Sequence, residues 1–202
     1  MERAGVLFAA ACLSACAATG EVAYRSPDLL EALPQRVAVL PFDNESLSFD
    51  APDVLRRMVS ERLGGAGPGV LSISEVDERL HEMGVTDGGQ LGAFSPSEIG
   101  KALGADGLLY GSVEEFVYQN VGFFRKREVR LRLRLVAAAD GVRLWQDIGE
   151  DANIHITLSK KDAGRSFLEG VIEQAAEKLL KIPLQKEAER AVEDVLSKYP
   201  RR

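Results

Sequence analysis

The sequence predicts one α/β domain with a mixed five-stranded sheet, and two observations lead to this fold class. Over residues 36–104, short runs of branched apolar residues alternate with longer segments in which apolar residues recur at helical spacing. That alternation is typical of strand–helix units in a parallel sheet. Over residues 106–152, three strand-like segments follow one another, with Asp140-Gly141 as a hairpin turn signal. We therefore expect a sheet that is parallel in its first half and an antiparallel meander in its second, with helices mainly on one face.

Capping and turn residues divide the chain into these elements. Ser95-Pro-Ser-Glu98 is the clearest helix start, because a serine cap, a proline in the first turn and a glutamate three residues after the serine coincide. Asp50 and Ser74 are further candidates for helix caps. The predicted strands cover residues 36–42, 70–73, 106–118, 127–137 and 142–152. The predicted helices cover residues 50–63, 74–83, 95–103, 162–182 and 184–198.

The composition is that of one ordinary globular domain. Of the 202 residues, 46% are hydrophobic and 28% are charged, so the chain can bury a sizeable core. The formal net charge of -6 argues against general nucleic-acid binding, which needs a surplus of basic side chains. No apolar run reaches the roughly 18 residues of a membrane-spanning helix, which excludes a multispan membrane protein.

The N-terminus has the layout of a bacterial lipoprotein export signal. Arg3 precedes a short apolar stretch, and Leu13-Ser-Ala-Cys16 then resembles the lipobox, in which the cysteine thiol is acylated. We therefore predict a signal peptide over residues 1–15 and lipidation, including palmitate, at Cys16. Ala17 follows the cysteine, where an aspartate would favour the inner membrane, so the resemblance indicates the outer membrane. A flexible tether is expected over residues 16–34, and a single periplasmic domain over residues 35–202.

The strand pattern of residues 127–137 places arginines on one face of the sheet. Val129, Leu131, Leu133 and Leu135 alternate with Arg130, Arg132 and Arg134. A two-residue turn at 140–141 would set Arg134 opposite Asp147, Arg130 opposite Asp151 and Arg132 opposite Gly149, which makes two cross-strand ion pairs. A local basic excess remains, and it predicts an interaction surface for a protein, a glycan or anionic lipid. The excess consists of Arg132 and residues 125–127, and the predicted interaction surface comprises Arg125, Lys126, Arg127, Arg130 and Arg132.

Catalytic and metal-binding patterns are weak in this sequence. His81 and His155 lack a metal-ligand spacing, and Ser112 and Ser166 lack a nucleophile context. The glycine run at 64–69 lacks the lysine of a phosphate loop. Asp43-Asn-Glu45 could bind a cation or form an ordinary turn. We therefore predict no catalytic residue, no cofactor and no bound metal.

Four segments carry a resemblance to a known family: Val37–Ser46, Asp77–Thr86, Leu103–Tyr110 and Asp140–Trp145. In order and spacing they resemble a family of bacterial outer-membrane lipoproteins typified by a neisserial lipoprotein antigen, a domain of unknown function. The same skeleton is similar to periplasmic modules like the N-terminal domain of TolB, including the lipoproteins CsgG and LpoB. The resemblance implies a protein-interaction or assembly role at the cell envelope and brings no catalytic residues.

Two functional hypotheses follow. The first is a non-catalytic adaptor, lipid-anchored in the outer membrane and facing the periplasm, which binds envelope proteins. The alternative is an oligomeric subunit of an outer-membrane secretion or transport apparatus, similar to CsgG. Neither hypothesis involves nucleic acid, and both allow contacts between copies of the chain.

Overall fold

The computed structural model describes residues 23–65, 69–121, 124–156 and 184–201. Its strands are β1 (Tyr24–Arg25), β2 (Arg36–Val39), β3 (Asp43–Asn44), β4 (Gly69–Val70), β5 (Gly107–Asn120), β6 (Phe124–Ala137) and β7 (Arg143–Ile156). Its helices are α1 (Ala51–Gly64), α2 (Ile73–Glu82), α3 (Pro96–Leu103), α4 (Gln185–Ser197) and a 3-10 helix at Gly88–Ala93. The predicted signal peptide, Cys16 and the predicted helix over 162–182 lie outside the described residues.

The strands form one mixed sheet, so the predicted α/β class is confirmed. The strand order is β1-β7-β6-β5-β2-β4, and β3 also pairs with β5. Strands β2 and β3 run parallel to β5, and β2 runs parallel to β4. The β5–β6 and β6–β7 pairs are antiparallel, as the meander predicts. The described sheet has seven strands rather than the predicted five, because residues 24–25 and the turn-like residues 43–44 each add a two-residue strand.

Helices pack on both faces of the sheet, which corrects the prediction that they lie mainly on one face. Val37 and Val39 of β2 face the core under α1 and α4, whereas Ala38 and Leu40 face the core under α2 and α3. These four side chains are all at most 1% exposed. A strand buried on both sides needs cover on both sides, which explains its unbroken apolar run.

The alternating side chains of β6 lie as predicted on one face. Val129, Leu131, Leu133 and Leu135 are fully buried in the core that α4 covers. Helix α4 approaches β7 closely at Gly149, where an added Cβ would overlap the backbone oxygen of Ala191. We call this the covered face of the sheet.

The segment that precedes β2 is part of the folded domain. Tyr24 and Arg25 pair with Gln146 and Trp145 of β7, and Leu29 and Leu33 are buried in the core under α1 and α4. The predicted tether is therefore too long at its C-terminal end, and the domain begins about ten residues before the predicted boundary at residue 35. Apolar contacts of these two leucines hold the segment against the domain.

Two local predictions need correction and one is confirmed. Helix α2 begins after Ser72, whose side chain accepts a hydrogen bond from the Glu75 amide, so Ser74 is not its cap. Asp50 occupies the cap position of α1 without a side-chain cap hydrogen bond. The capping box at Ser95 and Glu98 is present, and its hydrogen bonds lower the pKa of Glu98.

Candidate interaction surface

The polar face of the β5–β6–β7 hairpins lies opposite the covered face, and we call it the open face. Most of its side chains are partly or fully exposed, whereas Gln146 and Ile148 are buried. Because directly opposed residues of antiparallel strands point to the same side, the register fixes its members. They include Tyr110, Ser112, Glu115, Lys126, Glu128, Arg130, Arg132, Arg134, Gln146, Ile148 and Glu150, and Glu114 joins them through its ion pairs with Arg130 and Arg132.

The β6–β7 register differs by one residue from the predicted one. Arg134 lies opposite Gln146, Arg132 opposite Ile148 and Arg130 opposite Glu150. The turn closes through a hydrogen bond of 2.9 Å from the Ala137 amide to the Val142 carbonyl. An irregularity between Leu135 and Val136 then adds one residue to β7. A longer loop and a bulge thus replace the expected two-residue turn.

The two aspartates that the prediction paired with arginines instead face α4. Asp147 lies 3.5 Å from Lys198 Nζ, and Asp151 lies 3.6 Å from the guanidinium of Arg190. The predicted Arg134–Asp147 and Arg130–Asp151 pairs are therefore wrong.

Glu114 neutralises much of the positive charge of Arg130 and Arg132. A register irregularity between Val113 and Glu115 brings the Glu114 carboxylate next to these arginines. Its carboxylate forms an ion pair of 2.8 Å with Arg130 Nε and another with Arg132 Nη2. Arg130 also lies 3.2 Å from the Glu150 carboxylate. Two of the predicted interaction residues, Arg130 and Arg132, are thus already paired within the domain.

The remaining predicted residues divide between the two faces. Lys126 lies on the open face beside Glu128, whose hydrogen bond and charge raise the Lys126 pKa against the opposing effect of burial. Arg125 and Arg127 occupy alternate positions on the other side of β6. Arg127 is 4% exposed, and its guanidinium donates to both carboxylate oxygens of Glu187 at 2.7 and 3.0 Å. The prediction that Arg127 belongs to an exposed interaction surface is therefore wrong.

A groove of about 700 Å³ opens where the open face meets the loop between α2 and α3. This volume lies in the range of ligand pockets. The floor consists of Tyr110, Ser112, Arg132, Arg134 and Gln146. The wall includes Pro41, Asp43, Glu45, Gly88, Gly89 and Phe94, and Arg143 lies at the same groove.

Two arginines of the groove lie over tyrosine rings. Register pairs place Tyr110, Arg134, Gln146 and Tyr24 in one row across four strands. Arg134 Cζ lies 4.9 Å from the Tyr110 ring centroid, and Arg143 Cζ lies 4.1 Å from that of Tyr24. Burial raises the Tyr110 pKa, although the Arg134 charge acts in the opposite direction. Tyr110 therefore stays protonated at neutral pH and offers an uncharged ring to the cation.

The facing wall carries carboxylates. Asp43 and Glu45 are exposed, and Glu45 Oε1 accepts a hydrogen bond of 2.8 Å from Ser112 Oγ. The 3-10 helix packs closely against this wall, because a Cβ on Gly88 would lie 2.5 Å from the backbone of Asp43. The groove thus combines arginines on its floor with carboxylates on its wall.

The Asp43-Asn-Glu45 segment shows turn chemistry beside this wall. Asn44 Oδ1 accepts hydrogen bonds from the Ser46 amide at 3.0 Å and the Ser46 hydroxyl at 2.7 Å. Its Nδ2 donates to the Ser48 carbonyl at 3.0 Å. These bonds orient the loop after β3, as expected for an asparagine turn.

The other candidate residues remain separate from the groove. His81 is exposed on α2, and His155 is exposed near the end of β7. Within residues 23–65, 69–121, 124–156 and 184–201, no three or more His, Cys, Asp or Glu side chains come together as a possible metal site. The predicted residue Ser166 and part of the glycine run at 64–69 lie outside the described residues.

Sequence reasoning missed Tyr110, Arg143 and Gln146, and it assigned Arg134 to an ion pair. The alternation of arginines with apolar residues in β6 could have identified Arg134 as a member of the open face. Its contact with Tyr110 depends on the β5–β6 register, which no single-strand pattern contains.

Among the described residues, no helix is both long and apolar enough to cross a membrane.

The solved structure of a bacterial lipoprotein superposes on this chain and agrees with the fold described above. The crystal structure of lipoprotein GNA1162 from Neisseria meningitidis superposes with a TM-score of 0.56 at 23% identity, covering 71% of this chain and 99% of that one. Hypothetical protein CT253 from Chlamydia trachomatis gives a TM-score of 0.48 at 14% identity, covering 81% and 94% of the two chains. The LpoB C-terminal domain from Salmonella enterica gives 0.40 at 19% identity, covering 59% and 82%.

Sequence comparison gives the family directly. None of the curated proteins matches the sequence. The model of the GNA1162-like lipoprotein family matches residues 24–199, which include every strand and helix described above. The chain belongs to the GNA1162-like lipoprotein family.

Proposed function

We propose that this protein is a non-catalytic adaptor, lipid-anchored at Cys16 in the outer membrane, which binds an envelope protein in the periplasm through its open face. Membership of a lipoprotein family supports the anchor, as does the Leu13-Ser-Ala-Cys16 lipobox. Lipidation tethers a folded domain to a membrane surface without a spanning helix.

The groove beside Arg134 is the observation that carries the binding role. Helices α1 and α4 bury the covered face, whereas the open face keeps partly exposed charged and aromatic side chains around a concave site. Concave sites with a few oriented polar groups are the usual places for recognition. Arginine and tyrosine are also enriched among the residues that dominate binding energy at protein interfaces.

Crosslinking in living cells tests this function. The native lipoprotein is crosslinked and recovered beside three variants: Cys16→Ser without the anchor, Arg134→Glu in the groove, and Arg57→Glu as a matched charge reversal on the exposed surface of α1. We expect a defined envelope protein with the native chain and with Arg57→Glu. Its recovery should fall strongly with Cys16→Ser and Arg134→Glu.

Two results would contradict the adaptor. Undiminished recovery with Arg134→Glu, in a variant whose thermal unfolding midpoint is unchanged, would remove the open face from the proposal. Recovery of only further copies of this chain would favour the oligomeric subunit of a secretion or transport apparatus instead.

A further inference from the structure

Arg134 differs from the other arginines of the open face in what its guanidinium contacts. Arg130 and Arg132 are paired with Glu114, whereas Arg134 has no carboxylate partner among the described residues and lies over Tyr110. A guanidinium whose central carbon lies over an aromatic ring can still use its N–H donors to bind a second partner. The partner that suits this planar fork best is a carboxylate or a phosphate.

Asp43 supplies a second uncompensated charge in the same groove. It is exposed, and no Lys, Arg or His of the described chain forms an ion pair with it. The neighbouring Glu45 carboxylate binds the Ser112 hydroxyl. The groove therefore presents a cation on its floor and an anion on its wall that have no oppositely charged partner among the described residues, although the Asp43 carboxylate accepts a hydrogen bond from the Asn44 amide. The half-buried rings of Tyr110 and Phe94 also line the groove.

We infer that the groove binds a short peptide segment that carries both a carboxylate and a basic side chain. The carboxylate pairs with Arg134, and the basic side chain pairs with Asp43. This inference rests on the proposed function, because it names the chemistry of the partner that the open face recognises. The groove volume of about 700 Å³ accommodates a few residues of such a segment.

Charge on the wall distinguishes a peptide from a free phosphate. A phosphate group carries roughly 1.5 to 2 negative charges at neutral pH, and it would meet Asp43 and Glu45 across the groove. A peptide with charges of both signs satisfies the floor and the wall together. It also adds apolar contact with the Tyr110 ring.

Binding of defined peptides to the full-length mature lipoprotein in detergent tests the inference. The probes are fluorescein-labelled hexapeptides with Glu and Lys at two positions, spaced by none, one or two residues. Matched peptides replace Glu, Lys or both by Gln. Fluorescence anisotropy gives Kd, and inorganic phosphate serves as a competitor.

At one or more spacings, we expect the Glu–Lys peptide to bind about tenfold tighter than the double-Gln peptide, which corresponds to about 1.4 kcal/mol. Arg134→Gln should abolish the preference for Glu and keep that for Lys, whereas Asp43→Asn should do the reverse. Arg57→Gln, on α1, should bind like the native chain. Thermal unfolding midpoints of all variants establish that they are folded.

Three outcomes would overturn the inference: no charge preference at any spacing, a Glu preference that survives Arg134→Gln, or displacement of the peptide by phosphate at millimolar concentration. The proposed function fails on a different result, namely recovery of the envelope protein in cells that does not depend on Arg134. If the peptides show no preference while recovery in cells still depends on Arg134, the adaptor stands and only the partner's chemistry is wrong.

Discussion

Replacing Glu187 with glutamine tests whether Arg127 is a structural residue of this domain. Glu187 is 6% exposed, and its carboxylate accepts two hydrogen bonds from the guanidinium of Arg127, a residue that is 4% exposed. The substitution removes the negative charge that both of these guanidinium hydrogen bonds reach, and so breaks the buried Arg127–Glu187 pair from the carboxylate side. Breaking a buried pair by removing one partner costs about 3–5 kcal/mol. In a domain of this size, a loss of about 3 kcal/mol lowers Tm by roughly 6–12 °C.

Thermal unfolding followed by circular dichroism at pH 7 measures this loss. Glu193→Gln is the matched control on the same helix, because Glu193 is 74% exposed at the side chain and lies 3.8 Å from Arg62. An exposed pair of this kind is worth at most about 1 kcal/mol. The double variant Arg127→Met with Glu187→Leu should recover most of the lost stability, since an apolar pair carries no buried charge.

Equal and small losses in Glu187→Gln and Glu193→Gln would refute this reasoning. That result would mean that Arg127 is hydrated in solution and available on the surface, as the predicted basic interaction surface requires.

Three further predictions concern pH and packing. Burial alone would raise the Glu187 pKa, but the Arg127 hydrogen bonds and charge hold it below the ordinary value of 4.5. The ionised carboxylate therefore stabilises the folded state above pH 4.5, and this stabilisation is lost as the pH falls through the lowered pKa. In acid titrations, the difference in unfolding free energy between the native and Glu187→Gln proteins should narrow. Burial raises the Tyr199 pKa from 10 to about 12. The neutral side chain therefore stabilises the folded state fully below pH 10, and this stabilisation is lost between pH 10 and 12, so Tyr199→Phe should match the native Tm at pH 7 and exceed it near pH 12. Curves of Tm against alkaline pH that run parallel for the two proteins would contradict this. Gly149→Ala should lower the free energy of unfolding by about 1–3 kcal/mol, because its Cβ overlaps the α4 backbone. At Gly64 an added Cβ meets no atom within 4 Å, so Gly64→Ala should stabilise α1 by up to about 1 kcal/mol. Urea unfolding of both variants measures the two changes.

Sequence patterns specified which side chains share a face of β6 but not which residues they meet. The alternation from Val129 to Leu135 is local, so it can be read directly and it is confirmed. The partner of each residue depends on the turn that joins β6 to β7, and one extra residue at the bulge after Leu135 shifts every cross-strand pair. The predicted ion pairs failed for this reason.

The candidate site depends on contacts between distant parts of the chain. Arg127 has the same parity as Val129, which would have placed it on the covered face, but its partner Glu187 lies 60 residues away. The groove needs the loop at Gly88–Ala93 to pack against β3. Residues 24–34 resemble a tether because of Pro27 and Pro34, and only the fold brings Leu29 and Leu33 into the core. Such long-range contacts leave no periodic signal in a single sequence.

Photo-crosslinking from within the groove tests the central claim most directly. A benzoylphenylalanine in place of Tyr110 keeps an aromatic side chain on the groove floor, and the same group in place of Arg57 samples the exposed surface of α1. In living cells, we predict a crosslink to one defined envelope protein from position 110, lost with Cys16→Ser, and none from position 57. Equal crosslinking from both positions, or crosslinks only to other copies of this chain, would contradict an anchored adaptor that binds through its open face.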